Sequence, residues 1–177
     1  MDALQQTAVS RQLDHTDQYL TFIMGNEEYG VEILRVQEVK GWENVRKIPN
    51  LPSYIKGVIN LRGAVVPIVC LRERLGMPIK TAANMTVVIV LRVITEKGHS
   101  IMGVVADGVS EVYNIEASQM QPPPNFGKGF DASFIKSVAT VNDKMIVLLD
   151  VDRLLYKSAQ EDLSKFDPSE LAKQITK

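Results

Sequence analysis

The feature that most constrains this chain is that it says one thing twice. Shifted by 80 residues, Ile55-Lys56-x-Val58 falls on Ile135-Lys136-x-Val138 and Val65-Val66 on Met145-Ile146. Without a gap, Ile68-Val69 then meets Leu148-Leu149, Leu71 meets Val151 and Leu75 meets Leu155. A second block, shifted by 73, lays Gly30-Val31, Val36, Glu38 and Val39 over Gly103-Val104, Val109, Glu111 and Val112. The two shifts differ because the second copy carries a longer connection, QPPPNFGKGFDAS. Two ordered blocks with one insertion describe an internal duplication, so the fold is expected to be two versions of one small unit.

The repeated stretch, Ile55 to Leu75, reads as a strand, a tight turn, a second strand and the start of a short helix. Gly63 supplies the positive φ that the turn needs, and Ala64 to Leu71 reads as a strand buried on both faces. Arg62 is thereby placed at a chain reversal between apolar strands. Ahead of it, Gln18 to Met24 and Tyr29 to Glu32 form a hairpin across the Gly25-Asn26-Glu27-Glu28 turn. Ile33 to Val39 suits a helical turn and a strand equally. Gly41 to Ser53, with Trp42 and two prolines, is a loop. The second copy opens at Asn84 and returns through Glu96-Lys97-Gly98-His99; its last strand pair is Phe134 to Val141 and Met145 to Leu149, closed by a short helix from Asp150 to Leu155. Residues 1–17 read as a mobile tail. Residues 156–177 read as a second tail, with a short helix near Asp167-Pro168-Ser169-Glu170-Leu171.

Many short strands with glycine turns and brief helices predict an all-β protein of two small barrels, the first lobe mainly 18–80 and the second mainly 84–155, with strand exchange between them left open. Side chains would fill both barrels, which moves attention to the seam between them. A composition 45% hydrophobic and 23% charged is that of a globular chain. With 20 basic against 21 acidic residues, no overall field draws it to nucleic acid or anionic lipid. The start lacks a signal sequence, the apolar runs are strand-sized, and the lone Cys70 fits a reducing compartment, so a cytoplasmic location without membrane insertion is expected.

Catalytic chemistry finds little footing. His15 lies in the tail and His99 in a hairpin turn, while Cys70, between Val69 and Leu71, reads as a small core residue. Asp150 and Asp152 could hint at a hard cation, but helix capping accounts for Asp150. No zinc spacing, phosphate loop or dinucleotide fingerprint is present, so no metal, cofactor or catalytic residue is expected. A nucleic-acid barrel would need a basic stripe with interleaved aromatics, and aromatics are only 6% of residues.

Protein recognition remains, and Glu38 and Arg62 carry it, because each interrupts an apolar run beside a turn or strand end. They either pair with each other on the surface, or line a groove and hydrogen-bond a partner helix. Glu111 repeats Glu38, whereas Arg62 maps to Asn142, so the copies differ where the charge sits.

GVINLRG followed by VVPIVCLRERLG, with EEYGVEILRVQEV before it and GVVADGVSEV after it, resembles the CheW-like domain family of bacterial chemotaxis coupling proteins, over about Gln18 to Leu155. The resemblance implies two pseudo-symmetric SH3-like barrels of about five strands each. It implies a non-enzymatic adaptor at receptor arrays on the inner face of the membrane. Its expected partners are the cytoplasmic hairpin tip of a methyl-accepting chemoreceptor and the regulatory domain of the histidine kinase CheA. Matching family positions put Val36, Glu38, Gly57, Arg62, Val87, Gly103 and Val112 near the receptor groove, and Val31 and Leu34 at a kinase-facing end. Two departures stand out: Cys70 replaces a usual aspartate and Ser137 a common glycine. The length leaves no room for a fused receiver or kinase, so a stand-alone coupler is expected, serving either motility or another signalling array.

Overall fold

The computed structural model describes residues 18–43, 45–76, 87–95, 98–124 and 132–157. The two tails, the Glu96-Lys97 turn, the opening of the second copy at Asn84 and most of the proline-rich connection lie outside the described residues. Eleven strands follow in order: β1 (Gln18–Met24), β2 (Glu27–Glu32), β3 (Val36–Gly41), β4 (Ile55–Leu61), β5 (Ala64–Cys70), β6 (Val87–Thr95), β7 (Gly98–Ala106), β8 (Gly108–Asn114), β9 (Met120–Gln121), β10 (Ile135–Val141) and β11 (Lys144–Leu149). One helical turn, α1 (Leu71–Arg74), follows β5. The ambiguous segment resolves into both of its readings: Ile33–Arg35 is a 3-10 turn and Val36 begins a strand.

The strands form two sheets, in the orders β8-β1-β2-β11-β10-β9 and β3-β6-β7-β5-β4. Each curls into a small barrel-like lobe. The registers carry the duplication: β4 and β5 pair Ile55 with Val69 and, past a bulge, Gly57 with Ile68, while β10 and β11 pair Ile135 with Leu149 and, past the same bulge, Ser137 with Leu148. Each sheet has one parallel junction, Gly103 opposite Ile68 and Gly30 opposite Leu148. These are equivalent contacts.

The sheets draw one mainly on 18–80 and the other mainly on 84–155, with strands exchanged between them. Hairpin β1–β2 of the first repeat sits between β8 and β11 of the second, and hairpin β6–β7 sits between β3 and β5 of the first. The exchange follows from edges: an isolated hairpin exposes two rows of unpaired backbone groups, and insertion into the other repeat's sheet pairs both. Each glycine at the parallel junction permits a close approach. A Cβ on Gly103 would lie 2.6 Å from Ile68 Cδ1, and one on Gly30 would lie 2.8 Å from Leu148 Cδ2.

Strand alternation divides the apolar residues into three clusters. On β6, Val88 and Val90 point into one barrel with Ile59, Leu61, Val66 and Ile68, while Ile89, Leu91 and Val93 point into a core shared by both lobes. On β11, Ile146 and Leu148 point into the other barrel with Tyr19 and Ile115, while Val147 and Leu149 join the shared core. Leu20, Phe22, Met24 and Val31 enter that core from the exchanged hairpin. A shared apolar core of this kind makes the two lobes one packed unit.

Candidate functional site

Arg62 and Gly63 both take positive φ, 51° and 87°, closing a two-residue turn between β4 and β5. Asn60 Oδ1 accepts the Gly63 N–H at 2.9 Å, which holds the turn from its own strand. The sequence called for a left-handed residue at Gly63; the same conformation at Arg62 is an addition, and it costs about 1 kcal/mol for a non-glycine residue. The side chain is 78% exposed, with Nη2 lying 3.8 Å from Glu38 Oε2. At that distance and exposure the pair contributes less than about 1 kcal/mol. The other carboxylate oxygen, Glu38 Oε1, is enclosed and has no hydrogen-bond partner among the described residues. The two residues thus face each other as a weak surface pair, with one Glu38 oxygen lacking a hydrogen-bond partner among the described residues.

Val36, Glu38 and Val87 share the β3–β6 ladder, with Val36 opposite Leu91, Glu38 opposite Val90 and Val87 opposite Gly41. Val36 and Val87 are half-buried. Val87 also pairs with Ala106, directly before the chain crosses to the other sheet as β8. There Val112 is 51% exposed on a strand that is the repeat equivalent of β3.

Three of the residues expected near the two contact surfaces are buried. Gly57 and Gly103 are buried. A Cβ on Gly57 would lie 2.2 Å from the Arg46 carbonyl oxygen, at φ +151°, so this glycine lets the Arg46 segment bridge to β4. Gly103 serves the parallel junction described above. Val31 is 1% exposed in the shared core because strand alternation turns it inward, whereas Leu34, in the 3-10 turn, is 64% exposed.

Sequence reasoning missed a set of polar groups that tie the lobes together. Arg72 Nη2 lies 2.6 Å from Asp107 Oδ2, which also accepts the Gly25 N–H at 2.7 Å. Arg35 holds Asp152 through two bonds of 3.0 and 2.8 Å, and Asp152 Oδ1 also accepts the Ile94 N–H at 2.8 Å. The signal was available, since the 80-residue shift lays Arg72 over Asp152. Elsewhere Asp150 Oδ1 accepts the Arg153 N–H at 3.1 Å, the capping role read for it, while Cys70 makes no side-chain cap to α1. Glu111, the repeat of Glu38, has Tyr113 in place of an arginine. Desolvation, then the hydrogen bond to the Glu111 carboxylate, raises the Tyr113 phenol above its ordinary pKa. Among the described residues no group of three His, Cys, Asp or Glu could hold a metal ion, and no helix is long and apolar enough to cross a membrane.

Comparison with known proteins gives one family. The sequence profile of the CheW-like domain matches residues 18–159. The chemotaxis protein CheW of Klebsiella aerogenes is 40% identical over 138 residues, which span 78% of this chain and 81% of that protein. The chemotaxis protein CheW of Rhizobium meliloti is 36% identical over 142 residues, spanning 80% and 89%. Among solved structures, the scaffolding protein TtCheW from Thermoanaerobacter tengcongensis superposes with a TM-score of 0.69 at 29% identity, covering 79% of this chain and 88% of that one.

Proposed function

The chain belongs to the CheW-like domain family, and from that premise we propose that it is a chemotaxis coupling adaptor that joins a chemoreceptor to a histidine kinase without catalysing a reaction. In this reading the cytoplasmic hairpin tip of a methyl-accepting chemoreceptor docks along β3, β6 and β8, and the regulatory domain of the kinase CheA occupies another face. Arg62 and Glu38 hydrogen-bond the receptor helices, Val36, Val87 and Val112 supply apolar contact, and Gly57 and Gly103 shape the scaffold behind them. Leu34 is the apolar residue offered to the kinase. Simultaneous occupancy of two faces is sufficient for coupling, because each partner then biases the arrangement the other meets.

The observation that carries this reading is the Glu38–Arg62 constellation. It has an arginine held at a strained turn position and 78% exposed, next to a carboxylate with an enclosed oxygen that has no hydrogen-bond partner among the described residues. Backbone strain concentrates where function requires it, and the weak mutual pair gives little reason for the strain by itself. The test is co-sedimentation of the purified protein with receptor-containing membranes, with and without the kinase. The expected result is that each partner is bound independently and that the isolated protein neither hydrolyses ATP nor accepts phosphate from the kinase. Failure to pellet with receptor membranes, or a stoichiometric phosphorylated product, would sink the reading.

A further inference from the structure

The sequence leaves Ile33 to Val39 open to a helical turn or a strand, and the structure uses the turn for Ile33–Arg35 and the strand from Val36. That choice decides where Leu34 points. In an extended chain Leu34 and Val36, two residues apart, would share a face, which puts Leu34 beside the apolar residues given above to the receptor. The 3-10 turn breaks the alternation: Leu34 stands 64% exposed, while Val36 stays half-buried against the shared core.

The turn has little of its own to hold it. It is three residues long, none of them is fully buried, and Glu32 ahead of it makes no side-chain cap. Its internal bond runs from the Val36 N–H to the Ile33 carbonyl. One bond of this kind does not offset the cost of starting a helical turn, and 3-10 geometry makes it a weak one. The fastening comes from the second copy. Arg35 Nη1 and Nη2 donate to Asp152 Oδ1 and Oδ2 at 3.0 and 2.8 Å, the two-bond geometry in which guanidinium and carboxylate fit best, and Nη1 also reaches the Arg92 carbonyl at 3.2 Å. Glu32 is a poor substitute, 3.9 Å from Arg35 Nε and engaged by Lys136 at 2.6 Å. Asp152 is oriented independently of Arg35, because its Oδ1 accepts the Ile94 N–H at 2.8 Å. The acceptor is therefore in place before the turn closes.

We infer that Asp152 is a positioning residue: through Arg35 it selects the 3-10 form of Ile33–Arg35 over the extended one, and so directs Leu34 to the regulatory domain of the kinase and keeps it out of the receptor-facing set. The kinase is the partner because Leu34 is the residue assigned to it above, so the inference rests on that reading. Asp152 acts through the turn and not as a contact of its own.

The experiment uses the full chain as wild type, Asp152→Asn, Leu34→Ala and the double variant. Asp152→Asn keeps the side-chain volume and an acceptor for the Ile94 N–H while removing the charge-assisted fork, so the fold is retained. On the isolated protein, hydrogen exchange of the Val36 N–H should speed up at least about tenfold in Asp152→Asn, and the Leu34 amide-to-Hα coupling should rise from the helical toward the extended range. Against the isolated kinase regulatory domain, Leu34→Ala and Asp152→Asn should each weaken binding about tenfold. The double variant should be no weaker than Leu34→Ala alone, since both changes remove the same contact. Unchanged exchange and coupling overturn the inference, and so do losses that add in the double variant, which would give Asp152 a contact of its own. If Leu34→Ala binds the kinase domain as tightly as wild type, or wild type does not bind it, the failure lies in the assignment of Leu34 made above; the measurement on the isolated protein then still decides whether Asp152 holds the turn.

Discussion

The two lobes solve one problem with opposite charges. On one side Arg72 in α1 reaches Asp107, the residue between β7 and β8, and Asp107 takes the N–H of Gly25 at the β1–β2 turn. On the other side the residue after β11 in the same place is Asp152, its partner Arg35 lies between β2 and β3, and Asp152 takes the N–H of Ile94 near the end of β6. In both cases a residue following a barrel strand, a residue on the crossing segment and a backbone N–H of an exchanged hairpin meet at one carboxylate. Only the position of that carboxylate has moved, from the crossing segment to the helical turn. The difference teaches that the geometry, and not the identity of either partner, is what the duplicated scaffold requires. It also separates these pins from the Arg62 turn, where the second copy kept the geometry and lost the charge.

The largest expected effect tests whether the equivalence extends to the bulges of β4 and β10. Gly57 and Ser137 occupy the same place, but Gly57 has φ +151° and Arg46 pressed against it, whereas Ser137 is buried with a hydroxyl that has no hydrogen-bond partner among the described residues. Gly57→Ser should therefore cost about 4 kcal/mol or more, through a side chain driven into a backbone carbonyl. Ser137→Ala should change stability by less than about 1 kcal/mol, toward the more stable side, because it removes an orphaned buried hydroxyl. Urea denaturation of both variants checks the pair. Comparable losses would mean that the two bulges are not the distinct environments described.

The charge-reversed pins give the next effect. Arg72→Leu should cost about 2 to 3 kcal/mol, less than a fully buried orphaned charge would, since Asp107 keeps some access to water. The double variant Arg72→Asp with Asp107→Arg rebuilds the polarity of the Asp152–Arg35 pin in the place of the other. It should recover more than half of that loss in a denaturation cycle. If the swap is no better than the single variant, the two pins are not interchangeable and the comparison breaks.

How much of this was legible in the sequence depends on the range over which each feature is determined. The strand pairs around Ile55–Cys70 and Ile135–Leu149 were readable because turn residues and apolar runs are local, and the repeat supplied each reading twice. The exchange of hairpins was not, since pairing β2 with β11 is a choice between two nearly identical docking partners that no local pattern distinguishes. Gly57 and Gly103 were picked out as positions near a groove. The structure gives them close backbone and side-chain approaches, which could be seen only once Arg46 and Ile68 were in place beside them. The inward side of Val31 was not readable for a simpler reason: next to an ambiguous segment, the face of β2 could not be assigned. The stacking of Arg74 on the Tyr54 and Phe134 rings left no trace, because a cation over two aromatics distant in sequence has no spacing to read.

The smallest effect on stability is the one that bears most on function. Asn142 takes the place of Arg62 in the second copy, with φ 51° at both positions. Asparagine tolerates that conformation better than arginine does, so Arg62→Asn relieves about 1 kcal/mol of strain and gives up a pair worth no more than that. The net change should lie within about 1 kcal/mol of zero, with the Gly63 N–H still held by Asn60. Receptor binding should nevertheless fall about tenfold, the loss of one charge-assisted contact. A variant that is as stable as wild type and weaker only toward receptor would show that the first lobe retains its strained arginine for the partner. Undiminished binding would show that the divergence between Arg62 and Asn142 has no part in docking, and the contrast between the lobes would then be one of turn chemistry alone.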